Sequence, residues 1–144
     1  MTEKSVTTWK ENMAFETDVT GHKFIVDALP EVGGQDLGPR PKALMLSALG
    51  GCTAMDVISI LRKMRVDEDI ADFKVHVEGD LTEEHPKYFF RVRVIYEFTP
   101  KTGKTLPLDK IEKAINLSEE RYCGVAAVYK QTMEMSHQIK INEA

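Results

Sequence analysis

Between Leu44 and Leu61 the chain carries one ionisable residue, Asp56, and apolar side chains on nearly every side of the helix this segment predicts. Pro41 stands where a helix loses nothing by a missing N–H, and Arg62, Lys63 and Arg65 suit the negative pole at the far end. A helix apolar on most sides has to be covered on most sides, so the segment predicts a central, buried element. That is more cover than a two-layer monomer of 144 residues comfortably supplies, which leads us to expect an extensive, obligate interface between two copies. Two adjacent glycines, Gly50 and Gly51, lie inside it and would each cost roughly 1 kcal/mol relative to alanine. They imply either a break, which would make Cys52 an early residue of a new helix, or the close approach of another backbone.

Around this helix the rest of the chain reads as strands. Met13, Phe15 and Val19 fall on one face at period two, Thr20-Gly21-His22 offers a turn, and Lys23–Asp27 supplies the return strand, with Val6–Trp9 a further short one. Residues 30–41 hold three prolines and three glycines and form a loop. Phe73–Leu81 and Tyr88–Phe98 alternate as a hairpin about the linker 82–87. Leu108–Leu117 reads as a short helix, and Ser118-Glu119-Glu120-Arg121 as the N-cap and acidic first turn of a second one running to about Lys130. Met133–Ile141 alternates again and should close the sheet. No linker or repeat interrupts this pattern, so residues 1–144 are expected to form a single domain of the α+β class.

A net charge of −4 lacks the basic excess that binding to a phosphate backbone needs, which argues against nucleic acid. No run of 18 consecutive apolar residues and no apolar leader at MTEKSVTTWKENM argue against a membrane partner or export, so the expected location is the cytoplasm. In that compartment Cys52 and Cys123, 71 positions apart, do not default to a permanent disulfide. Each lies near a predicted helix feature, where a thiolate gains from free N–H groups. A thiol so placed can attack a peroxide bond, and a second thiol within reach can condense with the resulting sulfenic acid. Against this stands the plain reading of a free cysteine in an apolar helix as a small packing residue. His22, His76, His85 and His137 are scattered without metal-ligand spacing, so no metal and no cofactor is expected. Met45, Met55 and Met64 are assigned to packing. Neither Gly33-Gly34 nor Gly50-Gly51 matches a phosphate-binding fingerprint, and no GxSxG supports serine chemistry. Asp56, one helical turn beyond Cys52, would oppose a thiolate unless paired with a cation, and an N-cap-like or inter-subunit hydrogen-bonding role suits it better than a catalytic one.

The segment GPRPKALMLSALGGCTAMDVISILRKM, followed at a distance by ERYCGVAAVYKQT and a closing strand, resembles the OsmC/Ohr family of thiol-dependent hydroperoxide-handling proteins. The resemblance implies an intertwined homodimer, its apolar helices central and antiparallel sheets wrapped outside. It also implies that Cys52 attacks a small organic hydroperoxide, that Cys123 resolves the sulfenic acid, and that an external dithiol reduces both. Two features depart from the family pattern. The glutamate that family members carry shortly before the attacking cysteine falls on Lys42 or Ala43, and no arginine precedes Arg40 to partner it, leaving Lys10, Lys23, Lys42 and Arg40 as candidate cations. The usual Cys-Pro is here Cys123-Gly124, as in a subgroup called OsmC-like. A rival reading follows: a small-hydrophobic-ligand binder or redox sensor that lacks efficient turnover.

Overall fold

The computed structural model describes all of residues 1–144, which divide into two compact units, Met1–Met45 and Leu46–Ala144. The first is an antiparallel meander of β1 (Ser5–Glu11), β2 (Ala14–Val19) and β3 (His22–Val26). Val19 pairs with His22, so Thr20 and Gly21 alone make the turn. Both take positive φ, 49° and 85°, the twist that a two-residue hairpin loop requires. The loop that follows is tied down at one side chain. The Asp27 carboxylate accepts the backbone N–H groups of Ala28, Gln35 and Leu37 at 2.7–3.2 Å. Burial disfavours the charged carboxylate, but these amides and Arg40 together hold Asp27 below its ordinary range.

The second unit is built on a three-stranded sheet in the order β4 (Ile70–Leu81), β5 (Phe89–Pro100), β6 (Glu134–Ile141). β4 and β5 form the expected hairpin. β6 does not continue the antiparallel pattern: it lies parallel to β5, from Arg91↔Glu134 to Phe98↔Ile141. The cause is the crossover of α2 (Leu108–Leu117) and α3 (Gly124–Tyr129), which returns the chain to the end from which β5 started. The expectation of wholly antiparallel sheets is corrected accordingly.

Alternation along β5 divides the sheet into two faces. Val92, Val94, Tyr96 and Phe98 are at most 1% exposed. They share the core with Leu49, Val57 and Leu61 of α1 (Ala43–Lys63), Ile111, Ala114 and Ile115 of α2, and Ala126 of α3. The opposite face is charged: Arg93 holds Asp80 at 2.7 and 3.1 Å and reaches Glu78, while Arg91 joins Asp80 to Glu134.

α1 runs unbroken through Gly50 and Gly51, so the break considered from the sequence does not occur. A Cβ on Gly50 would stand 3.2 Å from the Val77 side chain, which accounts for that glycine by close packing on β4; nothing lies within 4 Å of Gly51. Only one stripe of α1 is buried within the chain: Leu49, Gly50, Thr53, Val57 and Leu61. On the far side Ser47, Ala48, Gly51, Met55 and Ser59 face outward, with Met55 72% exposed. By length and hydropathy alone α1 would suffice to cross a bilayer.

Candidate functional site

Three elements converge on one point of the second unit. α1 contributes Cys52 and, one turn later, Asp56. After α2 the backbone widens into a π-helical turn, Ser118–Tyr122, closed by the Cys123 N–H on the Ser118 carbonyl at 2.8 Å. Such single widened turns often mark functional positions. The continuous helix expected from Ser118 to Lys130 is therefore two pieces, because the widened turn ends at an extended Cys123 (φ −76°, ψ 102°). Cys123 is then the N-cap of α3, its sulfur accepting the Ala126 N–H at 3.3 Å.

The sulfurs of Cys52 and Cys123 and a carboxylate oxygen of Asp56 all lie within 4.8 Å of one another. Residues 71 positions apart are thus neighbours. Both thiols are free, Cys52 partly accessible and Cys123 buried at 3% exposure. Burial pushes the Cys123 thiol up to about 11; the Ala126 amide pulls the other way and the adjoining Cys52 sulfur adds to the rise. Cys52 sits mid-helix, so the N-terminal placement that a helix break would have given it is absent. Two sulfurs and one carboxylate are one donor short of a closed tetrahedral metal site.

Asp56 leads away from the sulfurs into buried hydroxyls. Its carboxylate accepts from Ser118 Oγ at 3.0 Å; Ser118 meets Thr53 Oγ1 at 2.8 Å, and Thr53 meets the Tyr96 hydroxyl at 2.8 Å. Tyr96 donates to Glu119 Oε1 at 2.8 Å, and Glu119 Oε2 lies 2.9 Å from His137 Nδ1. Ser118, Thr53 and Tyr96 are at most 1% exposed. Burial, opposed by the Thr53 hydrogen bond and reinforced by Glu119, pushes the Tyr96 phenol far above its ordinary value, so the phenol keeps its hydrogen.

Beside Asp56 a cleft of about 540 Å³ opens, lined by Ile60, Met64 and Leu117 with Lys63, Lys113 and Tyr122. These lysines stand in the second unit. The cations considered from the sequence belong to the first: Lys10 and Lys23 flank Glu16, and Arg40 pairs with Asp36. Sequence reasoning gave Thr53 and Tyr96 no part in the site and read Ser118 and Glu119 only as an N-cap and acidic first turn. For Thr53 and Tyr96 the available signal was a hydroxyl at a position patterned for the core.

Residues 33–138 match the model of a protein family described as OsmC-like protein. Protein YhfA of Escherichia coli K12 is 31% identical over 134 residues, covering 92% of this chain and 93% of its own. Among solved structures, a hypothetical protein from Aquifex aeolicus VF5 superposes with a TM-score of 0.84 at 22% identity, over 100% of this chain and 98% of that one. The organic hydroperoxide resistance protein OsmC from Legionella pneumophila gives a TM-score of 0.68 at 13% identity, over 97% of each chain.

Proposed function

Because the chain belongs to the OsmC-like protein family, we propose that it is a thiol-dependent peroxidase for organic hydroperoxides, with Cys52 attacking and Cys123 resolving. The Cys52 thiolate attacks the terminal oxygen of ROOH, the O–O bond breaks, and the alkoxide leaves as ROH after taking a proton. Cys52 is then a sulfenic acid. Cys123 gives up its proton, its sulfur bonds to that of Cys52, and the displaced hydroxide leaves as water. An external dithiol exchanges with the Cys52–Cys123 disulfide, returning two thiols and leaving as its own disulfide.

The observation that carries this reading is the approach of the two sulfurs within 4.8 Å. A bond of about 2.05 Å requires the two sulfurs to move further together. Their unlike settings favour the assignment of roles, since the partly accessible Cys52 can meet a substrate while the buried, high-pKa Cys123 makes a poor first attacker. The apolar part of the cleft beside Asp56 offers room for an alkyl group, and Lys63 or Lys113 is a candidate for the cation that the family pattern places elsewhere. The test follows loss of cumene hydroperoxide in the presence of a dithiol. Turnover should vanish in Cys52→Ser, and a rate equal to that of the substituted protein overturns the reading.

One observation favours a second reading. With Lys42 and Ala43 where the family carries its glutamate, the same cleft could serve a small hydrophobic ligand or a one-shot redox sensor without turnover. Titration of Cys52 reactivity separates them: a midpoint at or above about 8.5 beside ligand uptake speaks for binding. We further read residues 1–144 as one OsmC-like domain that works as a cytoplasmic homodimer. The uncovered outward stripe of α1 supports the dimer.

A further inference from the structure

The buried contacts from Asp56 to Glu119 outnumber the hydrogens that could fill them. There are four oxygen–oxygen contacts of 2.8–3.0 Å: Asp56–Ser118, Ser118–Thr53, Thr53–Tyr96 and Tyr96–Glu119. Three hydroxyls bring three hydrogens. Ser118 spends its hydrogen on Asp56 and Tyr96 on Glu119, so Thr53 can serve only one of its two contacts. The other contact then sets two oxygens at 2.8 Å with no hydrogen between them. One added proton removes the defect. Placed on Asp56, it lets every group donate toward Glu119; placed on Glu119, it lets every group donate toward Asp56. The two arrangements interconvert by shifting one hydrogen along each link.

We infer that this chain of hydroxyls, entered through Asp56, is the internal base for the cysteine pair: it takes the proton a thiol must lose and returns it to the departing alkoxide or hydroxide. The inference rests on the thiol chemistry proposed above. The balance is closed within the site, since the proton that leaves Cys52 fills the vacancy and then completes ROH, and that of Cys123 likewise completes water. Asp56 exchanges the proton with the reacting sulfurs, its oxygen lying within 4.8 Å of both. Ser118, Thr53, Tyr96 and Glu119 are positioning residues. So is His137, whose Nδ1 faces the outer carboxylate oxygen. Other titratable groups flank the two ends. Lys63, Lys113 and Tyr122 line the cleft with Asp56; Lys130 donates to the Glu119 carbonyl; Tyr129 is close enough to Cys123 for the sulfur to raise its pKa, after the larger effect of burial.

Thr53→Val separates the chain into two pairs, Ser118 with Asp56 and Tyr96 with Glu119, each with the hydrogen it needs. The vacancy is gone while both carboxylates and both thiols stay. Tyr96→Phe ends the chain at Thr53, with two links and two hydrogens. The experiment measures alkylation of Cys52 by iodoacetamide in the reduced protein, read by mass spectrometry from about pH 6 to pH 10. Both variants should react roughly tenfold more slowly than the natural protein near pH 7 and converge with it near pH 10, where hydroxide replaces the internal base. Thr53→Ser should restore the natural profile. A natural profile in folded Thr53→Val and Tyr96→Phe overturns the inference, and so does a drop of equal size at every pH. Because alkylation needs no peroxide, the shift can stand where peroxide turnover fails, and turnover can stand where the shift is absent.

Discussion

At the scale of single residues, the second unit is governed by what fits against one helix and one strand. Gly79 is the strictest position. A Cβ there would come 2.6 Å from Phe89 Cδ1 and 2.9 Å from Leu46 Cδ2, and Phe89 is itself buried. Gly79→Ala should lose about 1–3 kcal/mol in denaturant unfolding, the usual cost of overpacking, and unchanged stability would show that Phe89 can swing clear. Both cysteines were legible in the sequence as a pair worth joining. Their neighbours were not. Thr53 reads as one more small residue on an apolar helix, Tyr96 as an aromatic in an alternating strand, and Ser118 as an N-cap, because linear patterns record burial and leave out which hydroxyls meet across elements. Asp56 was read as an N-cap-like or inter-subunit hydrogen-bonding residue; its partner is instead Ser118 of its own chain, met from the middle of α1.

Among the elements, β5 does the most joining, and Glu97 does so on its charged face. His76 of β4 and Asn142 and Lys140 at the β6 end all meet its carboxylate. Asn142 first, then His76, with Lys140 a smaller contributor, outweigh desolvation and bring Glu97 down to about 2 from 4.5. A carboxylate depressed on folding contributes stability that is complete above about pH 4.5 and is lost as pH falls toward about 2. Glu97→Gln should therefore lose less stability than the natural protein between about pH 5.5 and pH 3 in urea titrations; equal losses would leave Glu97 out of the acid response. The hairpin, α2 and the extent of β6 could be read from periodicity. The direction of β6 could not, since period-two alternation is the same for either orientation. Nor could the widened turn at Ser118–Tyr122, whose helix-like composition carries no mark of its extra residue.

For the whole molecule the governing fact is the outward side of α1, where Ala48, Gly51 and Met55 are left exposed by the chain's own packing. On the homodimer reading this stripe meets its copy. Sedimentation at micromolar concentration should then give twice the mass of the chain, and a stable monomer would count against it. Gly51→Ala offers a finer check. Within one chain nothing blocks the added methyl, and helix propensity alone favours it by about 1 kcal/mol. Packed helix against helix it should instead weaken association, so a stabilised dimer would place the contact elsewhere. The parallel seating of β6 on β5 bears on how such a protein is made. β6 comes after every other element in the chain, and His137 travels with it. During translation both thiols emerge while β5 still has a bare edge, open to stray pairing. Glu119 meets its histidine only when the final strand docks, so on the ribosome the proton chain would acquire its outer anchor last.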